Sequence, residues 1–156
     1  MLTSYEQDFY SWVQLTAAAI RARQFANVDW ENVAEELEAL GRSEKRAIRS
    51  YLVVLIQHLL KWQYQPGERS SSWKASIRNS RNRLKDLLDE NPILKGNFVV
   101  ESIAKVYDEA RIGASEETTI FIESFPIACP YAPEQLLDLD WLPEIVSVEI
   151  GTGASS

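Results

Sequence analysis

Histidine, cysteine and methionine each occur once in the 156 residues. These scarcities exclude a good deal of chemistry. The single cysteine, Cys129, cannot form an internal disulfide and fits a reducing, cytoplasmic setting. Its neighbourhood, "FPIACPYAP", holds no base to activate a thiol, so a small packed side chain is expected there. One histidine and no tandem cysteine pair leave a zinc site short of its usual ligands. Six glycines are too dispersed for a phosphate-cradling loop, and no G-x-S-x-G elbow is present. Long hydrophobic runs are also missing. The longest, Tyr51 to Leu60, is interrupted by Gln57 and His58 and has about half the length a bilayer requires, so no membrane association is expected. The first residues, "MLTSYEQDFY", place acids where an export signal would carry positive charge.

What remains is the composition of a globular chain the size of one domain, 46% hydrophobic and 25% charged. Its net charge of −7 is unevenly distributed. Residues 1–41 carry seven acids and two bases; residues 42–85 carry eleven bases and two acids; residues 86–156 carry fourteen acids and three bases. An acidic whole argues against general nucleic-acid binding, while the basic middle suits an acidic neighbour, within the chain or in a second copy.

Helical periodicity dominates. Ser4 with Gln7 forms a capping box for a first helix to about Arg23, whose stripe includes Tyr5, Phe9, Trp12 and Thr16. Asp29 caps a second helix through Trp30, Val33, Leu37 and Leu40, with Gly41 placed to end it. Ser43 opens a third, apolar on most of its circumference, with Ile48, Leu52, Leu55, Leu59 and Trp62 on its stripe; such a helix is sheathed by others. Pro66-Gly67 makes a turn. Serines 70–72 cap a fourth helix that stops at Asn91-Pro92, and a fifth covers about Ile93 to Ile112. Four of the six prolines then fall between Pro126 and Pro143, which indicates an irregular wrap with a short helix starting at Pro133. Only "TTIFIESF" offers a strand pattern. The expected fold is all-α: a compact bundle of about five main helices around a central apolar helix. Residues 1–143 are expected to form one helical domain and 144–156 a flexible tail. Trp12, Trp30 and Trp62 are expected in the core, with Trp73 and Trp141 partly exposed.

Three polar residues sit at the margin of their helices' apolar faces: Asp8, Glu36 and His58. A histidine–carboxylate hydrogen bond fixing helix register is the favoured reading. The alternative is a catalytic or metal site, since histidine with convergent carboxylates is a ligand inventory. The Glu-x-x-His pair of helical di-metal sites is missing, because Leu55 stands three before His58. On the fourth helix, Arg69 to Lys85 holds six bases and no acid. Lys74, Arg78, Arg81 and Lys85, at steps of four, three and four, form a stripe suited to phosphates or an acidic partner, with Trp73 nearby. An acidic stripe, Glu31, Glu35 and Glu38, lies on the second helix.

The stretches "YEQDFYSWV", "NVAEELEALGRSEKRA", "HLLKWQYQP" and "SSWKASIRNSR", followed by "FPIACPYAPEQLLDLDWLP", resemble the bacterial family called domain of unknown function 29. The resemblance covers about residues 4–143 and rests on several separated motifs in order. It implies a compact all-helical domain and no settled activity. Its motifs include Asp8, Glu35, Glu36, His58, Lys61 and Trp73. The chain departs from the family pattern at "NPIL", where a Ser-Pro-Ser-Leu type of turn is usual.

Three readings of function follow. The first is a cytoplasmic protein–protein interaction or regulatory module, without enzymatic activity or cofactor, whose partner is another protein or a second copy of itself. The second is a nucleic-acid-associated protein using the basic helix 69–85. The third is a metal-dependent enzyme built on Asp8, Glu36 and His58.

Overall fold

A computed structural model describes residues 5, 6 and 8–146. The chain is all-α, as expected. Its helices are α1 (Phe9–Arg21), α2 (Trp30–Tyr64), α3 (Ser71–Glu90), α4 (Asn97–Thr118) and the short α5 (Pro133–Leu137). No strand occurs among the described residues. "TTIFIESF" finishes α4 and passes into a 3-10 turn at Ile122–Ser124 instead. No helix among the described residues is long and apolar enough to cross a membrane.

Several boundaries follow local chemistry. Asp8 is the N-cap of α1: its carboxylate accepts from the Ser11 amide at 3.0 Å and from the Ser11 hydroxyl at 2.7 Å. The capping box expected at Ser4 and Gln7 lies outside the described residues. Asp29 caps α2 through the Asn32 amide at 3.3 Å. Ser70 caps α3 by accepting from the Trp73 amide at 3.2 Å. Pro66–Glu68 forms a 3-10 turn after α2, and Pro133 occupies the first turn of α5. The fifth predicted helix is displaced. Pro92–Lys95 forms a 3-10 turn, so α4 starts only at Asn97 and continues to Thr118. It ends where Thr119 takes a left-handed conformation, φ 62°.

The largest correction concerns Gly41 and Ser43, neither of which marks a helix end. α2 runs without a break for 35 residues, roughly 50 Å at 1.5 Å per residue. A glycine stops a helix by adopting positive φ, and none of the described glycines does so. Arg42, Glu44, Lys45 and Arg46 follow it, good helix formers with no proline among them, so the helix continues. An interior glycine costs roughly 1 kcal/mol relative to alanine. No packing among the described residues requires that cost, because a Cβ added at Gly41 would meet none of their atoms within 4 Å.

The chain divides into two compact units, Met1–Lys45 and Arg46–Ser156. In the first, α1 buries Trp12, Thr16 and Ala19, at steps of four and three that place them on one face. The Tyr5 ring meets Trp12 edge-on at 4.9 Å, and its hydroxyl donates to Glu36 on α2. This unit has little interior. Trp30, expected in the core, is 49% exposed.

The second unit holds the hydrophobic core. Ile48, Leu52, Leu55, Ile56, Leu59 and Leu60 of α2 are fully buried, among Ile77, Leu84 and Leu88 of α3 and Val99, Ile103, Val106 and Ala110 of α4. The sheathed apolar helix expected from the sequence is thus the second half of α2. Trp62, Trp141 and Tyr64 pack partly buried against this cluster. The chain after α4 closes over it with Phe125, Tyr131 and Leu136 buried. The Tyr131 hydroxyl donates to Gln63 Oε1 at 2.8 Å, and the Val146 amide donates to the Gln63 carbonyl at 3.3 Å. The remainder of the expected tail, 147–156, lies outside the described residues.

Candidate functional site

His58, on the core half of α2, is half-buried. Its Nδ1 lies 2.8 Å from the carbonyl of Val54, one turn earlier. A carbonyl only accepts, so the proton is on Nδ1 and Nε2 is the basic nitrogen. The partner is therefore backbone and not the carboxylate anticipated from the sequence. Burial holds the imidazole below its ordinary pKa, with the Val54 carbonyl opposing. The unfolded chain thus takes up a proton below about pH 6.5 more readily than the folded one. Stability from this group is complete above that pH and is lost as pH falls toward the lowered folded value. Urea unfolding at pH 7.5 and pH 5 should show this loss in the wild type and a smaller one in His58→Gln. An equal loss in both would remove His58 as its source.

The other two members of the proposed triad also spend their polar atoms locally. Asp8 is an exposed helix cap held below its usual pKa by the Ser11 amide and hydroxyl. Glu36 accepts from Tyr5. Among the described residues, no group of three or more His, Cys, Asp or Glu side chains is placed to hold a metal ion.

One turn beyond His58, Lys61 forms the most elaborate polar cluster in the second unit. It is only 5% exposed. Its Nζ lies 2.5 Å from Glu117 Oε2 on α4 and 4.5 Å from the centre of the Trp73 ring on α3. One ammonium thereby joins three helices through an ion pair and a cation–π contact. Lys61 holds the Glu117 carboxyl below its usual pKa, and Gln57 adds a hydrogen bond to it. At Gly113, one turn before Glu117, an added Cβ would lie 2.6 Å from Gln57 Oε1, so the Gln57 side chain would have to shift to admit one. Two residues of the sequence motifs, Lys61 and Trp73, thus meet. Glu117, the third, carried no signal, because 56 residues separate it from Lys61.

The basic stripe of α3 divides. Arg81 turns inward and is 2% exposed; its Nε donates to Leu136 O at 3.0 Å and its Nη2 to Gln135 O at 3.1 Å. Burial holds its pKa below the ordinary arginine value, with Asp138 and Asp140 opposing. Arg81 therefore anchors α5 and the wrap and is withdrawn from any phosphate. Lys85 pairs with Asp89 at 2.6 Å, and Lys95 joins the same carboxylate at 3.0 Å. Lys74 and Arg78 remain exposed, and Trp73 is half-buried beneath Lys61. Cys129 lines an open groove of about 440 Å³ with Tyr107 and Ile127, and burial raises its thiol pKa, which lowers its reactivity.

The first unit presents a different surface. Leu37 and Leu40 are 64% and 65% exposed, and Phe9, Tyr10, Phe25 and Trp30 are each about half exposed or more. Their three- and four-residue spacing with Trp30 and Val33 puts Leu37 and Leu40 on one stripe of the helix. By helical spacing, Trp30, Leu37 and Gly41 continue the line of Ile48, Leu52, Leu55 and Leu59. The stripe is covered along the second half of α2 and bare along the first. Exposed apolar residues at this density are unusual in a small folded unit.

Residues 4–142 fit a family model described as "Domain of unknown function DUF29". No curated protein and no solved structure matches the chain.

Proposed function

The chain belongs to the DUF29 family, and with that as premise we propose that it is a cytoplasmic helical interaction module whose first unit carries the contact surface. The observation behind this reading is the uncovered apolar stripe of α2, with Leu37 and Leu40 about two-thirds exposed. A side chain of leucine size yields about 1.5–3 kcal/mol on full burial, so two of them with Trp30 can supply the centre of an interface. The reducing setting implied by a lone cysteine fits the cytoplasmic part of the reading. Nucleic-acid contact is less well supported, because Arg81 is committed to Leu136 and Gln135 and Lys85 to Asp89.

The test compares the full chain with Leu37→Asp/Leu40→Asp, using chemical cross-linking and native mass measurement in a bacterial extract. The wild type should form a complex, with itself or with another chain, that the double variant loses while keeping its circular-dichroism melt. A wild type that forms no complex of either type would overturn the reading.

A further inference from the structure

We propose that the occupant of this stripe is a second copy of the chain, with the two α2 helices crossing antiparallel at Leu37 and Gly41. The inference rests on the reading above and specifies its partner. Trp30, Ala34, Leu37, Gly41, Glu44 and Ile48 fall at steps of four, three, four, three and four, the spacing of a heptad seam on one helix, with Glu44 its one charged member. Ile48 is fully buried, whereas Trp30, Ala34, Leu37 and Gly41 are exposed, so the seam runs out from the core uncovered.

Gly41 is the second observation. It interrupts a helix that would be stronger with alanine, and no atom lies within 4 Å of the position its Cβ would take. Packing among the described residues therefore does not call for glycine. A second helix crossing there would, since small seam residues allow two backbones to approach closely. With Leu37 of each copy against Gly41 of the other, a large side chain fills the space a missing one leaves.

Charge selects the direction. Ahead of Gly41, α2 carries Glu31, Glu35, Glu36 and Glu38 and no base; behind it come Arg42, Lys45 and Arg46 with the single acid Glu44, while Arg49 lies over the Phe98 ring. Antiparallel helices set the acidic half of one copy along the basic half of the other. Parallel helices would set like against like. The helix dipoles favour the same antiparallel arrangement.

Sedimentation equilibrium of the full chain, across protein concentration and at 50 and 500 mM salt, tests the proposal. The expected result is a dimer whose dissociation constant rises with salt. Leu37→Asp should raise that constant tenfold or more. Gly41→Leu should do likewise while leaving the thermal midpoint of the dissociated chain unchanged or higher, an effect that a purely structural glycine would not give. A monomer at every concentration overturns the inference, as does a dimer indifferent to both substitutions. If the chain is monomeric but captures another protein through Leu37 and Leu40, this inference fails and the interaction reading stands. If it captures nothing, both fail.

Discussion

Arg81→Ala is expected to lower the free energy of unfolding by about 3 kcal/mol, whereas Arg78→Ala should change it by less than about 0.5 kcal/mol. The two arginines stand three residues apart on the same predicted stripe, but they face different surroundings. Arg78 is exposed. Arg81 is almost completely buried and donates two charge-assisted hydrogen bonds to the carbonyls of Gln135 and Leu136. Removing it leaves those acceptors short of a donor, opens the space its stem occupied and frees α5 from α3. Lysine at position 81 should recover only part of the loss, because a single ammonium cannot reproduce the planar fork of a guanidinium. Urea unfolding measures the free energies. Limited proteolysis between residues 126 and 143 provides a local readout, with faster cleavage expected in Arg81→Ala alone. Equal, small effects at both positions would mean that Arg81 anchors nothing.

Arg81 also marks the limit of what periodicity reveals. Steps of three and four place residues on a common face, but they do not say which edge of that face is covered. Lys74, Arg78, Arg81 and Lys85 satisfy the stripe rule equally well, and only the packing of α5, more than fifty residues later, separates Arg81 from the others. The same limitation misplaced Leu37 and Leu40, whose spacing resembles that of Leu55 and Leu59 although their surroundings differ completely. Features governed by local chemistry were legible. Asp29, Ser70, Pro66 and Pro133 act as their residue types predict, each through a bond or a fixed φ within a few residues. Gly41 does not end the helix, because a glycine does so only when the following residues disfavour helix, and Arg42 to Arg46 favour it. At the polar sites, the sequence singled out His58, Lys61 and Trp73 but supplied neither the Val54 carbonyl nor Glu117. The imidazole's partner was one turn away on its own helix; the lysine's was on a helix that begins 36 residues later.

The Lys61–Glu117 pair should respond asymmetrically when its members are removed one at a time. Lys61 is buried, whereas the Glu117 side chain keeps half its surface in water. Glu117→Ala leaves an ammonium enclosed by α2, α3 and α4 with only the Trp73 face for company, and an uncompensated buried charge is costly. A loss of about 2 to 3 kcal/mol is expected, below the usual range for fully enclosed pairs because this one is half open. Lys61→Met keeps the apolar stem over Trp73 and leaves a carboxylate that water can solvate, so the loss should be about 1 kcal/mol or less. The double variant should be more stable than Glu117→Ala alone, because it removes the stranded charge together with its partner. The pH dependence follows from the lowered folded pKa of Glu117, caused first by the Lys61 hydrogen bond. Its contribution is complete above the ordinary glutamate pKa and disappears as pH falls through the depressed value. Wild-type stability should therefore fall between neutral pH and the acid side of about pH 4.5 more steeply than that of Lys61→Met. A Lys61→Met variant less stable than Glu117→Ala, or as acid-sensitive as the wild type, would show that the ammonium is not the buried partner on which the three helices converge.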